Sequence, residues 1–301
     1  MYLNGTKHYF GSSETERKLD CLRRYLEAYS IALQNKNFCR LYIDAFAGTG
    51  SRTETRAVLP FMGEGEPSVT EVTTPGSARI ALETKSGFHH VVLIENDPIK
   101  IDALKSVLDE YPGNRARVRG GDANQIVQRI CKRFEDDKRL RGVIFLDPYG
   151  MEVAWETVEA IANTKALDCW YFFPLSGLYR NAPKDAERFD EGKITALTRV
   201  FGTDSWRQDW YEVGPQTDMF GKLDERRIAT VDRIEEWVRD RLKSVFKGDV
   251  LRPMRLHHPN GAPMASLFFA ISNPNKAAVK LATDIAAHIL KLGISSHVRS
   301  R

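Results

Sequence analysis

Hydrophobic and polar positions along this chain follow two periods in turn. Leu19, Leu22, Leu26, Tyr29 and Leu33 recur at the 3.6-residue spacing of an amphipathic helix. Ser13 and Glu16, just before them, have the spacing of a capping box. Short, nearly continuous apolar runs then mark buried strands at Arg40 to Asp44, His90 to Glu95, Ala116 to Arg119, Gly142 to Asp147 and Asp168 to Pro174. Helical stripes separate them. One follows Ser77, which is expected to cap a short helix to about Thr84. Another follows Asp97-Pro98, an N-cap with proline at the first helical position, and runs through Ile101, Leu104, Leu108 and Tyr111. Two more run through Ile126, Ile130, Cys131 and Phe134, and through Trp155, Val158, Ile161 and Ala162. Strand and helix alternate five times, the signature of a parallel sheet covered on both faces.

The alternation is interrupted twice. Residues 51–76 show no period and contain Pro60, Gly63, Gly65, Pro67 and Pro75. They read as a long inserted loop, and loops of that length in a compact domain are usually functional, as lids are, or disordered. Residues 178–222 are polar and partly helical, with Trp206, Trp210 and Tyr211 as material for a substrate lid or a small helical core. After them, Ile228, Val231, Ile234, Val238, Leu242 and Val245 predict a long amphipathic helix. Val250 to His257 and Ala265 to Ser272 predict two antiparallel strands joined through Pro259-Asn260-Gly261. A last helix carries Ala278, Leu281, Ile285, Ile289 and Leu292.

An apolar content of 42% and a charged content of 28% are ordinary for a soluble globular protein. No run approaches the roughly 18 apolar residues of a membrane span, and the first ten residues have no apolar signal core, so the expectation is no membrane association. Cys21, Cys39, Cys131 and Cys169 are scattered, which suits free thiols in a reducing cytoplasm. Neither His89-His90 nor His257-His258 makes a metal clamp, because strand neighbours point to opposite faces, so no metal is expected. The net charge of +4 neither demands nor excludes a nucleic-acid partner. Residues 115–141 hold nine Lys/Arg against four Asp/Glu, a run that usually forms a solvated face.

The candidate chemistry gathers at the strand ends. Asp44, Glu95, Asp122 and Asp147 end four successive strands, the edge at which open α/β sheets bind ligands. Asp44-Ala45-Phe46-Ala47-Gly48-Thr49-Gly50 adds a turn whose glycines let the backbone approach a ligand. No further glycine follows two or three residues later, which disfavours a dinucleotide pyrophosphate site and an NAD(P)-dependent oxidoreductase.

These residues resemble the class I S-adenosylmethionine (SAM)-dependent methyltransferases. The resemblance implies a Rossmann-like fold: a mostly parallel seven-stranded sheet, an antiparallel C-terminal hairpin and a helical insertion after strand five, all in one domain spanning 1–301. It implies cofactor contacts at Asp44, Phe46, Gly48 and Gly50, with Glu95 on the ribose hydroxyls and Asp122 near the adenine amino group. Asp147-Pro148-Tyr149-Gly150 resembles in part the D-P-P-Y motif of amino-directed DNA methyltransferases, and more closely the D-P-F-G motif of tRNA guanine-N2 methyltransferases. Asp147, Pro148 and Tyr149 are then the catalytic set, acting on an exocyclic or ring nitrogen of a nucleobase in DNA or RNA. Glu95 stands well beyond the roughly 20 positions after the glycine turn that such folds usually need, and the insertion at 51–76 explains the gap. The helix Lys18 to Tyr29, the loop Asp44 to Gly48, Gly76-Ser77, Phe145 to Gly150 and Leu267-Phe268-Phe269-Ala270 resemble the three-Cys-motif partner family. That implies a three-cysteine-motif protein as partner, and leaves open a methyltransferase-like binding subunit without transfer activity.

Overall fold

The computed structural model describes residues 13–58, 68–113, 115–217 and 223–299. The side chain of Ser13 and the loop residues 59–67, which carry two of the prolines and two of the glycines noted above, lie outside the described set. The helix α1 (Ser13–Leu33) leads into β1 (Cys39–Asp44). A polar hairpin follows, β2 (Ser51–Val58) and β3 (Ser68–Pro75), and then α2 (Ser77–Glu83). The alternating units are β4 (His90–Glu95), α3 (Pro98–Asp109), β5 (Ala116–Gly120), α4 (Ala123–Asp136), β6 (Leu140–Leu146), α5 (Trp155–Asn163) and β7 (Leu167–Phe173). Next come α6 (Leu175–Asn181), α7 (Glu191–Phe201), α8 (Ser205–Trp210), and the pair β8 (Tyr211–Thr217) and β9 (Leu223–Arg227). The chain closes with α9 (Val231–Val245), β10 (Asp249–Val250), β11 (Met254–His257), β12 (Pro263–Ile271) and α10 (Lys276–Arg299).

The main sheet has eight strands and runs β10-β12-β7-β6-β1-β4-β5, with β11 also paired to β12. The pairs β5-β4-β1-β6-β7 are parallel, and β12 lies antiparallel to β7. This is the expected Rossmann-like, mostly parallel sheet with antiparallel C-terminal strands. The expected count of seven becomes eight because Val250 to His257 is two strands. Pro253 interrupts the run between them and has no N–H to give to a ladder. The strand order reverses between β1 and β6, so the loops after these two strands open on the crevice where such sheets bind ligands.

Each sheet face buries one core. Ile43, Ile144, Val158, Ile161 and Val238 belong to the cluster under α4, α5 and α9. Leu22, Leu26, Tyr42, Phe145, Trp170 and Phe269 belong to the cluster under α1, α2 and α10. Trp206 and Trp210 are fully buried in the first cluster; Trp210 packs on Phe201 and Trp237, and Trp206 packs on Trp210 and Tyr211. Trp206, Trp210 and Tyr211 therefore take the core reading and not the lid reading. The four cysteines are free, and three of them are buried.

Three local expectations are corrected. Residues 51–58 and 68–75 form a paired antiparallel hairpin in unbroken register from Ser51↔Pro75 to Val58↔Ser68, where the sequence reading had an irregular loop. Their Ser/Thr/Arg/Glu-rich strands carry no apolar face for periodicity to detect. Gly76, not Ser77, occupies the N-cap of α2, and no side chain caps that helix. Ile228 stays outside α9 and is exposed, which leaves Ile234, Val238 and Leu242 as the buried face.

At the opposite end of the strands, Asp168, the second residue of β7, accepts a hydrogen bond from the Tyr25 hydroxyl at 2.7 Å. It retains some solvent contact through a cavity of about 350 Å³ lined also by Tyr29 and Phe38. Burial nonetheless pushes its carboxyl up to about 7, and the Tyr25 bond only partly opposes this. The unfolded chain releases this proton near pH 4 and the folded chain near 7, so stability falls as pH rises through that window. Asp168→Asn keeps an acceptor for Tyr25 and removes the charge. The variant is expected to gain about 1–3 kcal/mol on the wild type at pH 8 and nothing at pH 4. Urea denaturation at both pH values checks this, and a gain of equal size at both would refute it.

Candidate functional site

The crevice is built from the loops after β1, β4, β5 and β6. After Asp44 the backbone is tied to both neighbouring strands: Ala45 N–H donates to Phe145 O and Ala47 N–H donates to Ile94 O. Gly48 and Gly50 have φ of +61° and +74°, the left-handed region that favours glycine. The returning chain presses against this turn, since Gly76 N–H donates to Gly50 O at 3.1 Å. A Cβ on Gly76 would lie 2.9 Å from that oxygen. Gly76→Ala must therefore push two backbones apart. It is expected to lower stability by about 1–3 kcal/mol, as overpacking does, and to weaken any ligand held by the glycine turn. Denaturation midpoints check it, and a variant within about 0.5 kcal/mol of wild type would show that the turn yields freely.

Glu95 is buried, and both of its oxygens accept from the backbone. Its Oε2 accepts from Gly48 N–H at 3.0 Å, and its Oε1 accepts from Asn96 and Asp97 N–H at 2.9 and 3.0 Å. One carboxylate thus holds the glycine turn of β1 to the end of β4. Asp122 caps α4, with Oδ1 accepting from Gln125 N–H at 2.9 Å, and it is exposed. Glu95 and Asp122 line one cavity of about 570 Å³, with Phe46, Asp97, Lys100 and Tyr149.

A second cavity of about 480 Å³ adjoins the first and contains Gly48, Gly50, Asp147 and Pro148. Phe46 and Tyr149 line both. Tyr149 is 76% exposed, and its ring carries the Lys100 ammonium 4.7 Å from the centroid. All the residues expected at the site except Asp44 come together here. Asp44 is fully buried, lines neither cavity, and accepts from Phe46 N–H and the hydroxyls of Tyr42 and Ser77. Burial, and after it the charge of Asp147, pushes its carboxyl up to about 7 against these hydrogen bonds. Asp44 is placed to prop the turn from beneath.

The residue that sequence reasoning missed is Lys18. Its ammonium lies 2.6 Å from Asp147 Oδ2, and its side chain is only 8% exposed. It also sits 4.1 Å from the centroid of the Phe172 ring. The signal was present: Lys18 stands four residues before Leu22 and eight before Leu26, on the buried stripe of α1. A lysine at a core-facing helical position needs an anion, and Asp147 is that anion. The second cavity also holds His258, whose Nε2 lies 2.8 Å from the Ser176 hydroxyl. The turn after β11 brings it there, which the strand reading of His257-His258 could not show. Chemically, the second cavity offers an oriented carboxylate with lone pairs to spare beside an exposed aromatic ring.

No protein-family model matches the sequence, and no curated protein matches it. Solved structures similar to this chain include the protein LPL1258 of Legionella pneumophila, 15% identical, covering 88% of this chain and 90% of its own, with a TM-score of 0.46. The "putative methyltransferase yhhF" of Escherichia coli is 15% identical, covering 68% of this chain and 87% of its own, with a TM-score of 0.30. The YcgJ protein of Bacillus subtilis is 11% identical, covering 82% and 95%, also with a TM-score of 0.30. The strand order, and not these weak likenesses, places the fold. Among the described residues no helix is long and apolar enough to cross a membrane.

Proposed function

We propose that this protein binds SAM across the two adjoining cavities and transfers its methyl group to a nitrogen of a nucleobase. One observation carries the reading: Glu95 and Asp122 line one cavity, Asp147-Pro148-Tyr149 borders the other, and Phe46 and Tyr149 wall both. The acceptor set fits a nucleoside rather than a phosphate. Four carboxylates, those of Glu95, Asp97, Asp122 and Glu152, line the first cavity, where hydroxyls and an amino group can donate to them. The turn from β1 enters a strand, β2, so no helix N-terminus is offered to a pyrophosphate there. Glu95 would accept the ribose hydroxyls and Asp122 the adenine amino group. When bound, SAM supplies an electrophilic methyl group on a sulfonium.

The chain's own chemistry centres on Asp147. An exocyclic amine is a weak nucleophile because its lone pair is delocalised into the ring. The Asp147 oxygen that Lys18 does not hold can accept one N–H of that amine, and so stabilise the positive charge that nitrogen gains as its new bond forms. Lys18 fixes the carboxylate in one orientation. Tyr149 offers its exposed face to stack the base, and Pro148 stiffens the turn that carries both neighbours. A base inside a duplex would have to be flipped out to reach Asp147.

A second reading draws on the same ion pair. Lys18 occupies one face of the carboxylate, which suits a methyltransferase-like subunit that binds a three-cysteine-motif partner without transferring a methyl group. Titration calorimetry with SAM, its demethylated product and NAD separates these readings from a dehydrogenase. SAM and its product are expected to bind, and tighter binding of NAD would overturn the cofactor. Radiolabelled transfer to RNA, DNA and protein fractions, with and without the partner, separates the first reading from the second. Label in nucleic acid supports transfer, and SAM binding with no label in any fraction supports the subunit.

A further inference from the structure

The edge strand β5 departs from the pattern of the rest of the sheet. A doubly wound sheet places apolar side chains on both faces. Ala116 and Val118 do so on one face of β5, where they pack against the second core cluster. On the other face the alternate residues are arginines: Arg115 just before the strand, then Arg117 and Arg119, all exposed. The following helix α4 packs against β4 and α5. It contributes Arg129 and Arg133, one turn apart, to the same groove. The five arginines line a cavity of about 510 Å³ over an apolar floor that includes Val92, Ile126 and Ile130. Among the described residues none of the five forms an ion pair. Asp137, at the end of the groove, is committed to Arg139. His90, also in the groove, is held below the usual imidazole range by burial and then by the charges of Arg115 and Arg117.

Five unneutralised guanidiniums repel one another, so their arrangement points to an anion that collects them. The arrangement is two rows, not a ring. Alternate strand residues are roughly 6.6–6.8 Å apart, so Arg115 to Arg119 spans about 13 Å. A single small anion needs donors that converge, whereas a row suits charges repeated along a chain. Guanidinium planes can also stack on unpaired bases. The upper end of the row runs through Gly120-Gly121 into Asp122, which lines the candidate cofactor cavity.

We propose that the groove between β5 and α4 is a docking surface for the phosphodiester backbone of a single nucleic-acid strand. The charge pattern stands by itself, and the proposal rests on the nucleobase reading only in expecting the strand and the methyl donor on one protein. Fluorescence anisotropy with a labelled 20-nucleotide oligouridylate, across a salt series, tests it. Combining Arg117→Ala, Arg119→Ala and Arg129→Ala should weaken binding at least 30-fold near 0.1 M salt. It should also make the dependence of log K on log salt shallower by about 2, since each phosphate contact on a single strand contributes about 0.7. The corresponding Arg→Lys triple should keep most of the salt slope, and both variants should keep the melting temperature and SAM affinity of the wild type. Oligomer binding should also raise the titration midpoint of the His90 imidazole in NMR, as phosphates offset Arg115 and Arg117. An Ala triple that binds with unchanged affinity and slope would overturn the proposal. So would polyglutamate or inorganic pyrophosphate competing as well as the oligomer, pointing to an acidic protein or a small anion. If the wild type binds the oligomer through these arginines but not SAM, the groove stands and the cofactor reading falls. If it binds SAM and no oligomer, the reverse holds.

Discussion

Asp147→Asn is expected to lower the transfer rate constant by on the order of 10²–10³, while SAM affinity changes by less than about 1 kcal/mol. Asn keeps the size and one carbonyl acceptor but loses the negative charge that responds to the developing charge on nitrogen. The proposed adenosine contacts at Glu95 and Asp122 lie in the adjoining cavity and are untouched. The structure adds a cost that the sequence did not announce. Lys18 is nearly buried and would face a neutral amide, so the variant should also lose about 1–3 kcal/mol of stability. Lys18→Met tests that share separately, because replacing the ammonium by an apolar side chain relieves the unpaired charge in the double variant. Rapid-quench measurement of methyl transfer, with calorimetric titration of SAM on the same samples, reads both quantities. Full transfer activity in Asp147→Asn would reduce the motif to a structural turn.

Glu95→Ala should weaken SAM binding by about 2–4 kcal/mol, because charge-assisted hydrogen bonds to the ribose are lost from an already desolvated site. The effect has a second source. Glu95 accepts the N–H groups of Gly48, Asn96 and Asp97, so its removal also frees the glycine turn from the end of β4. Amide exchange separates the two contributions. Faster exchange at Gly48, Asn96 and Asp97 in the variant without ligand reports the loosened turn. Glu95→Gln retains one acceptor oxygen and should fall between the two in affinity. Unchanged SAM affinity in a folded Glu95→Ala protein would remove Glu95 from the cofactor site.

What the sequence determined was local. Five apolar runs and the helical stripes between them specify the strands and helices, because burying one face sets a period that single residues reveal. Glycine after β1 and acids at the ends of four strands were legible because turn chemistry and helix capping act over a few residues. The same locality explains what was not legible. The polar strands β2 and β3 pair with each other through their backbones and have no apolar face to betray them. The arginines of β5 and α4 were visible only as an excess of positive charge. The fold brought the arginines of the strand and of the helix after it to the lining of one groove. Asp44 had the right position in sequence for a ligand contact, but the pleat and the return of α2 turned its carboxyl inward toward Ser77. The pairing of Lys18 with Asp147 was decided by tertiary structure alone. These residues lie far apart in the chain, and they meet only because α1 packs on the face of the sheet where β6 ends. Charges that remote find each other through packing, and burial then makes the pairing obligatory, since an ammonium removed from water needs its anion close by.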